Sequence, residues 1–161
     1  MTFEDALEFV IRWEGGYRVH RNPGEEYITF AGIYQKYHPG WKGWEHLRKG
    51  DVEGAKRHVK DFYRINYWLP LKGDYLPPKV ATALFDTSVN IGLRRSVKAI
   101  QKLVGVYPDG IVGPVTLMAI RRQKVREITR EFLKRRIVFY QKWTAIGSTS
   151  SRGGGSTGYL I

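Results

Sequence analysis

The chain has 161 residues, with 27 Lys and Arg against 15 Asp and Glu, and carries a formal net charge of +12. At 42% hydrophobic and 14% aromatic it can bury a core of its own, which excludes a disordered chain. Lacking cysteine, it has no disulfide framework, thiolate metal site or cysteine nucleophile, and no apolar run approaches the roughly 18–20 residues that span a bilayer.

The opening residues Met1-Thr2-Phe3-Glu4-Asp5 put acid where a secretion signal needs base, so no classical export signal is expected. Phe3, Leu7, Val10 and Ile11 recur at helical spacing, with Thr2 as N-cap and Asp5 at the capping-box position, and predict a helix over 3–13. Gly15-Gly16 closes it and leaves Glu14 at a helix C-terminus. From Tyr17 to Ile33 the helical period is lost, and the β-prone Tyr27-Ile28-Thr29-Phe30 suggests an irregular hairpin or small sheet lining a cleft. His38-Pro39-Gly40 is a break, and Asp51 caps a helix over 51–66. Val80, Leu84, Val89 and Ile91 mark a helix over 78–90, and Leu93, Val97, Ile100 and Val104 mark one that ends at Gly105. Asp109-Gly110 signals a turn, and Gly113-Pro114 starts another helix with Pro in its first position. A long basic helix over 124–143 follows, with Val125, Ile128 and Phe132 on one face, and the segment 147–161 has flexible-linker composition. The expected fold class is mainly α (α+β).

Nucleotide-binding glycine loops and a His-Glu-x-x-His zinc helix are both missing. The histidines His20, His38, His46 and His58 lack paired spacing, so neither a metal site nor a cofactor is expected. What remains is Glu14, after Trp13 and before Gly15-Gly16-Tyr17. The negative end of a helix and a neighbouring indole both disfavour an ionised carboxylate, so its pKa is expected to rise. A glutamate still protonated near neutrality is the general acid that glycoside hydrolysis needs, and two glycines would let a bulky polysaccharide approach the backbone. A surface glutamate at a helix end is the other reading of the same residues.

Four motifs occur in order: Glu14-Gly15-Gly16-Tyr17, Thr29-Phe30-Ala31-Gly32-Ile33, Asp86-Thr87-Ser88-Val89-Asn90-Ile91-Gly92, and Gln101 to Val106 with Asp109-Gly110-Ile111-Val112-Gly113-Pro114-Val115-Thr116. Together they resemble the EGGY-motif endolysins, glycoside hydrolase family 108 fused to a peptidoglycan-binding subdomain, over nearly all of Met1 to Trp143. The resemblance implies a lysozyme-like fold and N-acetylmuramidase activity, cleaving the β-1,4 bond between N-acetylmuramic acid and N-acetylglucosamine in bacterial peptidoglycan. It makes Glu14 the proton donor and lets Thr29 hold the attacking water, since a hydroxyl both donates and accepts. The Asp that the family commonly carries between the first two motifs is missing from Asn22-Pro23-Gly24-Glu25-Glu26-Tyr27-Ile28-Thr29. Glu25 or Glu26 could supply the second carboxylate, with Glu25 preferred; without one, a slow hydrolase and a lytic transglycosylase both stay open.

The expected division is a catalytic part over 1–76, a helical peptidoglycan-binding subdomain over 77–146 in the same compact unit, and the tail 147–161. Gly15, Gly16, Tyr17, Tyr27 and Asn90 are the candidate substrate contacts; for Asn90, helix capping competes with contact to an N-acetyl group. Of Trp41, Trp44, Trp68, Tyr17, Tyr27 and Tyr37, one or two are expected to line the cleft and the others to be core. The closing helix region carries nine cations against Glu127 and Glu131, which suits an anionic cell wall or membrane surface. It also suits nucleic acid, but no nucleic-acid-binding motif accompanies it, and that reading leaves Glu14 and Thr29 without a role. A wall-binding module that does not cut is a further alternative. The resemblance implies a monomer held in the host cytoplasm before release to the wall.

Overall fold

A computed structural model describes residues 2–147, so the tail beyond Gly147 lies outside the described residues. Helix α1 (Phe3–Trp13) starts on the expected capping box: Thr2 Oγ1 accepts from the Asp5 N–H, and the Thr2 N–H donates to Asp5 Oδ2 at 2.7 Å. Its buried face is Phe3, Ala6, Leu7, Val10 and Ile11. The chain then forms a three-stranded antiparallel sheet of very short strands, β1 (Val19–His20), β2 (Thr29–Phe30) and β3 (Ile33–Tyr34), in sequential order. Phe30 pairs with Ile33, leaving Ala31-Gly32 as a two-residue turn with φ of +50° and +80°, the positive values that tight hairpins require.

Helix α2 (Gly43–Arg48) is an element the periodicity did not predict, because six residues are too few to show a period. Helix α3 (Val52–Tyr63) begins at the predicted Asp51 cap, whose Oδ1 accepts from the Gly54 N–H at 2.8 Å. It stops three residues before the expected end and passes into a π-type turn over Arg64–Trp68, closed by a hydrogen bond from the Leu69 N–H to the Arg64 carbonyl. The wider turn brings Tyr63, Tyr67 and Trp68 all into the core while Ile65 stays 62% exposed.

Helix α4 (Pro78–Ile91) is the central element, buried at most of its positions and packed against α1, α5 (Leu93–Val104) and α7 (Val125–Gly147). Phe85 on α4 meets Phe3, Trp68, Tyr63 and Tyr67 at ring-centroid distances between 5.6 and 6.4 Å, so one aromatic cluster ties α1, the π turn and α4 together. Gly105, at φ +77°, ends α5 as predicted, and Pro114 opens α6 (Pro114–Arg121). Between them the buried Gln101 amide organises the loop. Its Nε2 donates to Asp109 Oδ1, the Ile111 carbonyl and Thr116 Oγ1, and its Oε1 accepts from the Gly110 N–H.

The chain is therefore mainly helical with a small sheet, as its sequence indicated. Gln101→Leu keeps the side chain's bulk and removes all four hydrogen bonds; urea unfolding is expected to show a loss of about 1–3 kcal/mol, with faster amide exchange over 106–113.

Candidate active site

Glu14 is held by the way α1 ends. The Gly16 N–H reaches back to the Ile11 carbonyl at 2.9 Å and Gly15 takes φ +92°, a glycine-dependent closure that fixes Glu14 as the capping residue. No Cβ on Gly16 would meet anything within 4 Å, so its local role is conformational, and space for a ligand is left beside it. A Cβ on Gly15 would lie 3.6 Å from the His20 ring.

The stem of Glu14 packs on the hairpin turn. A Cβ placed on Gly32 would lie 3.2 Å from Glu14 Cβ and Cγ and 2.5 Å from the Tyr63 hydroxyl. Tyr63 in turn donates to the Ala31 carbonyl at 2.8 Å, which fastens the hairpin turn to the end of α3. Tyr67, one helical turn on, is buried, and its hydroxyl has no hydrogen-bond partner among the described residues. Burial, and secondarily the negative charge of Glu14, push the Tyr67 phenol far above its ordinary pKa.

Burial likewise raises the Glu14 carboxyl, and the negative charge of Asp86 adds to it, bringing its pKa to about 7. The rise was expected from the sequence, but not for this reason. Trp13 is 74% exposed and packs edge-on against Phe9 toward solvent, so its indole does not shield Glu14. Asp86 sits on α4, is itself buried, and is held by Arg136 of α7, whose Nη1 donates to Asp86 Oδ2. A carboxyl half-protonated near neutrality can both give up and take back a proton.

Thr29 lies on β2, paired with His20 and Tyr34, only 1% exposed, and its Oγ1 has no hydrogen-bond partner among the described residues. Glu25 is half-buried in the preceding loop, where its Oε2 accepts from Asn22 Nδ2 at 3.0 Å; Glu26 is exposed. Tyr17 lies tilted against Phe30, donates to Glu8 Oε1 and lies beneath the Lys56 ammonium; burial first, then the Glu8 charge, push its phenol up to about 12. Tyr27 continues into an edge-to-face ladder through Tyr34 to Tyr37, which is 50% exposed. Trp44 and Trp68 are core residues, and Trp41 is half-buried against Phe30. The Asn90 amide donates to the Asp86 carbonyl at 2.7 Å and to Asp86 Oδ1 at 3.3 Å, so its donors serve α4 and the Asp86 carboxylate, while its own carbonyl oxygen is not used by these bonds.

Sequence reasoning gave no role to Tyr63 or Tyr67, named Gly32 and Asp86 only as motif positions, and counted Arg136 among the cations of the basic closing helix, whereas the structure pairs it with Asp86. A signal existed for Asp86, a lone carboxylate inside an apolar helical run. Among the described residues, no group of three or more His, Asp and Glu side chains forms a metal cage, and no helix is long and apolar enough to cross a membrane.

A family model described as glycosyl hydrolase 108 matches residues 7–92. A solved structure of SagA from Brucella abortus is 34% identical in sequence, covering 92% of this chain and 87% of its own, with a TM-score of 0.69. A comparison with curated proteins finds no match.

Two outcomes follow from the geometry. Gly32→Ala forces a side chain against Glu14 and Tyr63 at a positive φ, and is expected to cost about 1–3 kcal/mol in chemical denaturation. Because the folded Glu14 binds its proton more tightly than the unfolded chain does, its contribution to stability is present at low pH and lost as pH rises from the ordinary glutamate range through about 7. Glu14→Gln is free of that loss, so its melting temperature should gain on the wild type between pH 5 and pH 8, by the equivalent of about 1–3 kcal/mol.

Proposed function

The chain belongs to the glycosyl hydrolase 108 family, glycosidases that act on peptidoglycan, and on that premise we propose that it is an N-acetylmuramidase with Glu14 as general acid. The observation that carries the proposal is the half-buried Glu14 carboxyl, raised to about 7 at the junction of α1, the hairpin turn and the π turn. In the protonated form it hands its proton to the glycosidic oxygen as the bond from N-acetylmuramic acid C1 breaks. That transfer makes N-acetylglucosamine a neutral leaving group.

Thr29, whose buried hydroxyl has no partner among the described residues, is the group proposed to hold the attacking water. Glu25, fixed on its loop by Asn22, is the carboxylate proposed to accept that water's proton. Direct attack by water inverts the anomeric centre and goes with carboxyls about 6.5–9.5 Å apart. Should neither Glu25 nor Glu26 serve, the substrate's own 6-hydroxyl can attack instead, giving a 1,6-anhydro product and making the protein a lytic transglycosylase.

Around the reacting bond, the backbone at Gly15 and Gly16 offers close approach, Tyr17 and Tyr27 offer ring faces to the sugars, and the free carbonyl of Asn90 can receive an N-acetyl N–H. The helical part over 77–146 is proposed to grip peptidoglycan as a binding subdomain. The cations of the closing helix region hold the protein near the anionic wall or membrane surface. A monomer that waits in the host cytoplasm and is then released to the wall fits this reading.

Mass spectrometry of fragments from purified peptidoglycan tests it. Wild type should release reducing-end N-acetylmuramic acid, and Glu14→Gln should release none. Anhydro ends would move the activity to transglycosylation, and an intact wall with both proteins would leave only wall binding. Because the acid must be protonated, kcat/KM is expected to fall as pH rises through about 7.

A further inference from the structure

The four histidines show no pairing along the sequence, yet the corner between α2 and α3 brings two of them face to face. His46 Nε2 and His58 Nε2 are 3.1 Å apart. On its other side the His46 ring places Nδ1 at 2.8 Å from Asp51 Oδ2. From this arrangement we propose that His46 and His58 form a two-imidazole site for a divalent transition-metal ion such as Zn²⁺, oriented by Asp51 and completed by solvent.

The ring geometry is that of a bent contact between inclined imidazoles, and it also has room for a shared ion. Two imidazoles in head-on contact at this nitrogen separation would have ring centroids about 5.4 Å apart. If both nitrogens point at a shared ion about 2.05 Å away, the same separation gives centroids about 4.8–4.9 Å apart and an N–metal–N angle of about 100°, close to tetrahedral. The rings lie 4.9 Å apart.

The carboxylate is placed as an orienting group for a metal-bound imidazole. With Nδ1–H of His46 donating to Asp51, the Nε2 lone pair of His46 is the one turned toward His58. His58 needs only to carry its ring proton on Nδ1 instead of Nε2 to present a second lone pair, a tautomer change with no net loss of a proton.

The surroundings are built for this contact. Gly54, in the first turn of α3, is buried, and any Cβ there would collide with both His46 Nδ1 and Asp51 Oδ2. A helix interior favours Ala over Gly, so the missing side chain is explained by the space the His46–Asp51 pair occupies. The His58 carbonyl accepts from Trp41 Nε1 at 3.2 Å, which holds the His58 turn against the segment leading into α2. The His46 side chain is 32% exposed, so an ion and its water ligands can enter from solvent. Two protein donors suit Zn²⁺, Ni²⁺ or Cu²⁺, with Cu²⁺ tightest, and are a poor match for Mg²⁺ or Ca²⁺, which prefer oxygen.

Titrating Zn²⁺ into the full chain in a non-chelating buffer, followed by calorimetry, tests the proposal. One saturable ion per chain is expected, unchanged in His20→Gln and abolished in His46→Gln and in His58→Gln. Asp51→Asn, which keeps the Oδ1 that caps α3, should weaken binding about 10–100-fold. No saturable uptake, or uptake that survives loss of both histidines, would overturn it and leave a hydrogen-bonded pair. Should the histidine variants fail to fold, the wild-type Cu²⁺ complex decides: its electron paramagnetic resonance must show two imidazole nitrogens, and one or none sinks the site.

Discussion

The stem of Glu14 and the hydroxyl of Tyr63 approach the Cα of Gly32 so closely that no side chain can stand there, and the candidate site is arranged around that contact. It draws together three pieces of chain with no local reason to meet: the end of α1, a two-residue hairpin turn and the end of α3. Removing water from the carboxyl is the direct consequence, and a desolvated carboxyl keeps its proton. The turn meets this demand at some cost, since Ala31 sits at φ +50°, where a residue with a Cβ is unfavourable. Its carbonyl bond to Tyr63 helps hold it in place.

Around that contact the charges are layered. Asp86 opposes ionisation of Glu14, while Arg136 compensates Asp86 and makes its burial tolerable. The ion pair between α4 and α7 therefore belongs to the electrostatics of the site as well as to the packing of the helices. The Tyr67 hydroxyl, buried and without a partner among the described residues, lies close enough for the charge of Glu14 to oppose its ionisation.

Much of this was legible in the sequence wherever the cause is local. The Thr2–Asp5 capping box, the Asp51 cap, Gly105 and Pro114 act within a turn of their own position, and each stands where the sequence indicated. Glu14 could be singled out because Gly15-Gly16 announces the helix end beside it. Trp13 was misjudged because adjacency in sequence at a helix terminus says nothing about direction, and its ring turns to solvent. Tyr67 and Asp86 were given no role because their effect on Glu14 crosses between elements. The π turn was illegible for a related reason: its wider hydrogen bond is set by burying Tyr63, Tyr67 and Trp68 together, a tertiary demand. The His46–His58 pair went unseen because one partner lies on α2, too short to show a period.

The ion pair on α4 has a consequence for how the chain comes into being. Asp86 is made 50 residues before Arg136, a delay of several seconds at ordinary rates of translation. Until Arg136 has been made and α7 has docked, Asp86 lacks the counter-ion it has in the folded chain. The charge arrangement around Glu14 is thus finished only when α7 docks.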